Sequence, residues 1–275
     1  MIRIFSDVMR IVEKDDVVYF KFKELDKYDF INHSVSSRYG GVSSKDGLQS
    51  MNLGTHTSDD IENVRQNYKI FCETAGYDVN RIVLGNQSHG LNVRYATQKD
   101  CGKGVFSDRD YTDVDALITD IKNLPLVIHT ADCVPVSFID TRLKVIGNAH
   151  CGWRGTFGEL AKITLSEMIK RFSTHPEDVV CTIGPCICKS CYEVSKDLYI
   201  EFQKKFGDSD SLLNKDNSYY IDLAGINRQI LISCGVSSDN IFVSDICTCC
   251  NIDYLYSHRG QGTKRGIFAS FLQLN

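Results

Sequence analysis

The sequence predicts a mixed α/β fold. Short runs rich in Val, Ile and Phe read as strands, and several are apolar almost throughout, as strands covered on both faces are. Segments with helical periodicity and cap residues alternate with them. The composition, 43% hydrophobic and 24% charged over 275 residues, is that of a soluble globular protein. Such a length buries a sizeable core without covalent staples. No composition shift or low-complexity tract marks a seam, and four prolines leave no linker. Residues 1–275 are therefore expected to form one domain.

In chain order, Val17–Phe22 and Phe30–Ser36 open the fold as strands. Ser58 is placed to cap a helix from about Asp59 to Ala75, with Gly76 as its stop. Arg81–Leu84, Ala116–Thr119, Leu126–Thr130, Val134–Ile139 and Lys144–Ala149 follow as strands. Phe157, Leu160, Ala161, Ile163, Leu165, Met168 and Ile169 mark one face of a helix through about Arg171. After the strand Val179–Ile183 come helices Lys196–Phe206 and Leu223–Cys234, the latter capped by Asp222 and stopped by Gly235. Ile241–Val243 and Ile267–Leu272 are the last strands. Arg38–Gly54 and Thr97–Asp113 are polar and glycine-bearing, and read as mobile loops, functional or plain surface excursions.

A net charge of -4 and a pI of about 6.0 give no reason to expect nucleic acid. The N-terminus lacks the apolar core of a signal peptide, and no run approaches the roughly 18 apolar residues of a membrane span. A cytoplasmic protein with no membrane partner is expected. Twelve cysteines are many for that compartment and do not form the regular framework of a secreted domain.

Three stretches carry chemistry: Ser88-His89-Gly90, Thr130-Ala131-Asp132-Cys133, and Asn148-Ala149-His150-Cys151-Gly152-Trp153-Arg154-Gly155. His89, Cys133 and His150 each fall at or just past a predicted strand end, where α/β folds assemble sites. Their separations are far from zinc-finger spacing, so a site must come from tertiary convergence. Two imidazoles and a thiolate suit a zinc with an open fourth position, and the thiolate disfavours Mg²⁺ and Ca²⁺. Residue types alone leave two other readings open: an ordinary core cysteine with hydrogen-bonded histidines, and a Cys133–His150 nucleophile dyad.

These stretches, with Asp115-Ala116-Leu117-Ile118-Thr119 and Val134-Pro135-Val136, resemble the central signature of the YfiH-like or laccase-domain family. That family is also described as purine nucleoside phosphorylases with several activities. The resemblance continues through Ser37-Arg38-Tyr39-Gly40-Gly41-Val42-Ser43, Asn52-Leu53-Gly54-Thr55-His56 and Gln87-Ser88-His89-Gly90. It extends to Ile183-Gly184-Pro185, Cys191-Tyr192-Glu193-Val194, Cys247-Thr248 and Tyr256-Ser257-His258-Arg259, nearly the whole chain. It implies one α/β domain of layered mixed sheets flanked by helices, related to the toxin deamidase fold. It also implies a metal triad at His89, Cys133 and His150. Two departures stand out. Cys151 replaces the usual alanine, and Gly260 follows Arg259 where a second arginine is frequent, which leaves Lys264-Arg265 as the basic end of that motif.

The implied reactions are phosphorolysis of adenosine, inosine or methylthioadenosine, and deamination of adenosine, with zinc as cofactor and purine nucleosides and phosphate as small-molecule partners. Phosphorolysis needs an anion site beside C1′ of the ribose, which arginine serves through its planar fork. Arg38 and Arg259 are the choices, with Arg154 a third unless it only stacks on Trp153. Gly40 and Gly41 would let backbone amides approach an anion, or form a turn. Asp132 adjoins Cys133 as a candidate acid–base, or as an anchor for its loop. His56 would line the pocket or brace the Asn52–His56 loop. The H-x-E…P-C-x-x-C pattern of known zinc base deaminases is absent. A copper-dependent polyphenol oxidase is an alternative. Several coppers need about ten histidines in paired arrangements, and this chain has seven and no H-x-H. A Cys–His amide hydrolase, suggested by the family's peptidoglycan-editing label, is another.

Two further clusters, Cys186-x-Cys188-x-x-Cys191 and Cys247-x-Cys249-Cys250, lie outside the triad. If they meet, they make a sulfur-rich structural site or a disulfide; otherwise they are reduced thiols around the pocket.

Overall fold

The computed structural model describes residues 4–275, so the first three positions of the expected domain lie outside the described residues. Strands β1 (Met9–Lys14) and β2 (Val17–Phe22) form a hairpin. Its two-residue loop, Asp15-Asp16, has φ of 51° and 65°, the twist that matches flanking strands. β3 (Ile31–Ser36), α1 (Ile61–Ala75), β4 (Val83–Leu84) and β5 (Val93–Tyr95) follow. Then come β6 (Ala116–Thr119), β7 (Leu126–Thr130), β8 (Val134–Asp140) and β9 (Val145–Cys151). Helices α2 (Trp153–Phe157) and α3 (Leu160–Phe172) precede β10 (Val179–Ile183), β11 (Glu193–Val194) and α4 (Lys196–Phe206). The chain closes with β12 (Leu212–Lys215), β13 (Ser218–Ile221), α5 (Leu223–Ser233), β14 (Ile241–Val243), α6 (His258–Gln261) and β15 (Phe268–Leu274).

Two six-stranded sheets result, ordered β1-β2-β3-β15-β7-β4 and β14-β10-β8-β9-β6-β5, with a small sheet β11-β13-β12. Pairing is mostly antiparallel; β4–β7, β5–β6 and β10–β14 are parallel. The large sheets face each other across Phe20, Leu126, Phe268 and Leu272 from one and Leu117, Ile139, Ile146 and Val180 from the other. On the far side of the first sheet, Val64, Tyr68 and Phe71 of α1 pack on Tyr19, Val127 and Phe271. On the far side of the second, Leu165 and Met168 of α3 and Ile230 of α5 pack on Ile118, Phe138 and Cys181. Helix, sheet, sheet and helix thus stack in four layers. Both faces of the central strands are covered, which is why they are apolar in both registers.

Local differences from expectation have physical causes. The first long helix is capped by Asp60, which accepts from the Glu62 amide at 3.0 Å, rather than by Ser58. Asp59 is drawn away to Ser43 and Asn52, so the helix starts two residues later. The single helix expected to run to Arg171 is two, because Glu159 adopts φ 59° between them. Hydrogen bonds and ion pairs brace much of the stretches 38–54 and 97–113, which the sequence reads as mobile. Asn67 of α1 donates to Ser43, Ser50 and Asn52, and accepts from the Val42 amide. A Thr97–Asp100 capping box closes a 3-10 turn, and Asp100 receives Arg94 and Lys103. Glycine at 40 serves packing: φ is 91°, and a Cβ would lie 2.5 Å from the Val17 Cα. Among the described residues no helix is long and apolar enough to cross a membrane.

Candidate metal centre

His89 lies in the loop after β4, Cys133 in the crossover from β7 to β8, and His150 within β9, one residue from its end. These elements belong to both large sheets. The donor atoms of the three side chains lie within 4.8 Å of one another. Cys133 Sγ is 3.9 Å from His89 Nε2, and the two imidazole centroids are 4.9 Å apart at 72°. His150 is buried and His89 exposed, so the cluster opens to solvent on one side.

Asp115, fully buried, builds this geometry. Its carboxylate accepts from the backbone amides of Ser88, His89 and Gly90 at 3.0, 3.1 and 2.8 Å. That grip on three successive amides holds His89 at φ 64°, a conformation rare for a non-glycine residue. The same carboxylate is 2.8 Å from His150 Nδ1, which leaves Nε2 as that ring's donor toward the cluster. Burial pushes the Asp115 carboxyl up, but its hydrogen bonds to His150 and the amides outweigh burial and hold it below its ordinary value. Burial likewise raises the Cys133 thiol, yet the His150 charge and hydrogen bonds from both imidazoles bring it down to about 6. His150 moves the other way: burial disfavours its cation, but the Cys133 thiolate and Asp115 bring it up to about 9. The contact thus favours a thiolate at Cys133, and a metal ion bound there would displace the proton that His150 Nε2 shares with it.

The residues fit a metal. Two imidazoles and a thiolate are donors for borderline transition ions. Gly152 faces them: a Cβ there would lie 2.9 Å from Cys133 Sγ and 3.1 Å from the His89 ring. Absence of a side chain at 152 keeps the space over the donors open. Cys151, the extra thiol beside the site, points the other way. It is fully buried in the core between the second sheet and its helices, and burial pushes its thiol up.

Asp132, at φ 94°, spends both carboxylate oxygens as an anchor. It accepts from the Thr248 hydroxyl and from the Arg259 backbone amide, each at 2.6 Å. Arg259 in turn donates through its guanidinium to the carbonyls of Cys191 and Glu193, at 2.9 and 2.8 Å, above the Tyr192 ring. Arg38 is placed elsewhere. Its guanidinium donates to the carbonyls of Gln49 and Ile252 and stacks over Tyr256, bracing the segment that leads into Arg259. Arg154 stacks on Trp153 at 4.1 Å. The Gly41 amide donates to the Ser50 hydroxyl, so it is committed within its own loop. His56 pairs with Arg109 in a cleft with Tyr111, while Asn52 braces its loop.

Two residues that the motifs contain without assigning them a role lie within electrostatic reach of Cys133. Arg265 is half-buried with Nε unpartnered; burial lowers its pKa, and the Asp132 and Cys133 charges oppose this. The Tyr192 phenol is pushed up to about 12, by burial and then by the Cys133 thiolate. Only position in the motifs, Lys264-Arg265 and Cys191-Tyr192, hinted at either.

Residues 32–275 match the family described as multi-copper polyphenol oxidoreductase laccase. Purine nucleoside phosphorylase YlmD of Bacillus subtilis is 32% identical over 86% of this chain and 86% of its own length. A purine nucleoside phosphorylase of Bacteroides thetaiotaomicron is 34% identical over 92% and 95%. Adenosine deaminase RL5, from an unknown prokaryotic organism, is 27% identical over 88% and 96%. The crystal structure of the hypothetical protein YfiH of Bacillus licheniformis superposes with a TM-score of 0.89 at 29% identity, covering 98% of this chain and all of that one. The shared layered fold and the match over most of the chain place it in the multi-copper polyphenol oxidoreductase laccase family, the YfiH-like family whose motifs it carries.

Proposed function

We propose that the chain, acting as one catalytic domain over residues 1–275, is a zinc-dependent purine nucleoside phosphorylase. Adenosine, inosine and methylthioadenosine are the proposed substrates, and adenosine deamination is a second activity. The observation that carries this reading is the convergence of His89, Cys133 and His150 on one open-sided point, with His150 preset by Asp115. Relatives named purine nucleoside phosphorylase and adenosine deaminase, aligned over most of the chain, supply the reaction classes.

In this reading His89, Cys133 and His150 hold the zinc, which supplies Lewis acidity beside the substrate when bound. Phosphorolysis breaks the bond from C1′ to the purine and forms one from C1′ to a phosphate oxygen. Arg265, with a free Nε, and Arg259, through the N–H groups that its bonds to the Cys191 and Glu193 carbonyls leave over, hold that phosphate; charge-assisted arginine contacts suit it. Asp132 positions Arg259 through the backbone, and Arg38 positions the segment before it. Tyr192, kept protonated, is a hydrogen-bond donor at the same wall.

The test is incubation of zinc-loaded protein with adenosine, with and without phosphate. Adenine or hypoxanthine together with ribose-1-phosphate is the expected result. Inosine alone would leave only deamination, and no product at all would overturn the assignment. The contact of Cys133 with both imidazoles also favours a Cys–His amide hydrolase. Stoichiometric metal bound through Cys133 counts against that. Copper chemistry rests on the family description alone; among the described residues, clusters of potential ligands comprise this triad and a group of four cysteines.

A further inference from the structure

Cys188-x-x-Cys191 and Cys247-x-x-Cys250 repeat the paired spacing of zinc knuckles, though 59 residues separate the corresponding members. The first pair lies on the loop 184–192 between β10 and β11, where a 3-10 turn spans Lys189–Cys191. The second lies on the loop that follows β14. The fold lays these loops side by side. Cys186 and Cys247 form a parallel bridge, and the Thr248 amide donates to the Cys186 carbonyl at 3.0 Å. The sulfurs of Cys188, Cys191, Cys247 and Cys250 all lie within 4.8 Å of one another. Those of Cys191 and Cys250 are 3.4 Å apart. The Cys188 amide donates to the Cys247 sulfur at 3.2 Å, a contact that favours a thiolate.

We propose that these four thiolates hold one tetrahedral zinc ion in a closed structural site. Zinc–sulfur bonds of about 2.3 Å in a tetrahedron set sulfurs about 3.8 Å apart, within the observed spread. A disulfide would join two of the four at about 2.05 Å and leave the convergence of the other two unexplained. Each thiol releases its proton to solvent on binding, and no redox change is involved. Four protein donors leave no open position, so this site scaffolds where the triad reacts.

It scaffolds a particular wall. Arg259 is anchored on the carbonyls of Cys191 and Glu193. Thr248, next to Cys247, donates to Asp132, which adjoins Cys133. The ion would staple together the two loops that carry these anchors.

Metal content of the full chain, purified reduced and without exposure to an affinity metal, tests the proposal. Elemental analysis and native mass spectrometry should find two zinc ions per chain. The double variant Cys191→Ser/Cys250→Ser should keep one, and His89→Ala/Cys133→Ser should keep the other. A single zinc that the first variant abolishes would support this site and count against the triad. If the variants fold poorly, cobalt loading of the unaltered chain should give the intense charge-transfer absorption of a tetrathiolate. One zinc that Cys191→Ser/Cys250→Ser leaves in place would overturn the proposal. So would recovery of these cysteines as disulfides, or an iron chromophore at this position.

Discussion

Replacing Asp115 by asparagine keeps the side chain's shape and removes its charge. His150 would lose the partner that fixes its tautomer, and the amides of Ser88, His89 and Gly90 would lose a carboxylate. Metal affinity should fall about 10- to 100-fold, measured by chelator competition, with the fold retained. An unchanged affinity would remove Asp115 from the site. At Arg265, alanine should raise the KM for phosphate about 10- to 100-fold, the loss of one charge-assisted contact. Substrate-independent zinc content should not change. The convergence of His89, Cys133 and His150 was legible in sequence because each sits in a distinctive stretch of rare residues. Asp115 was less so. It reads as the polar start of an apolar strand, and its role comes from a loop folded over it from a distant part of the chain. Asp132 shows the reverse. Sequence adjacency to Cys133 suggests chemistry, but the left-handed backbone at 132 turns its carboxylate to Thr248 and Arg259.

At the scale of elements, the helix start at Ile61 separates two candidate caps. Asp60→Ala should destabilise the protein by about 1 kcal/mol in denaturant titration, whereas Ser58→Ala should change it little. Ser58 offers its carbonyl to Lys45 rather than its hydroxyl to the helix. Equal losses at both positions would contradict the observed cap. The central strands were readable because both faces are buried and the apolar runs are unbroken. Val93–Tyr95, Leu212–Lys215 and Ser218–Ile221 were not, since they are short and half-exposed or polar and owe their strand form to pairing with neighbours. Met9–Lys14 carries charges at Arg10, Glu13 and Lys14 and becomes a strand by registering against β2. The break at Glu159 was invisible for a related reason. The apolar stripe continues across it, and only backbone geometry separates the two helices.

For the whole molecule, acid should be a strong denaturant. His33 accepts from the Phe22 amide at 2.7 Å, and His129 contacts the Tyr68 hydroxyl. Burial lowers both from 6.5 to about 3. The unfolded chain binds these protons first, so their contribution is complete above pH 6.5 and is lost as pH falls toward about 3. Within that window each histidine adds a slope of about 1.4 kcal/mol per pH unit. Urea midpoints measured across the range should show it, and His33→Gln should flatten it; an unaltered slope would rule His33 out. The same molecule-wide view applies to the triad. Its ligands come from the edge of one sheet, the crossover and the interior of the other sheet, so an ion bound there is a clasp across the sandwich. If the triad holds a metal as proposed, mass action would tie the endurance of the fold to its supply: about 4.1 kcal/mol of added stability would accrue at a thousandfold excess over Kd. The melting temperature should therefore climb with free metal. Metal starvation should loosen the contact between the sheets before it unravels either sheet, with hydrogen exchange rising first along β7, β8 and β9.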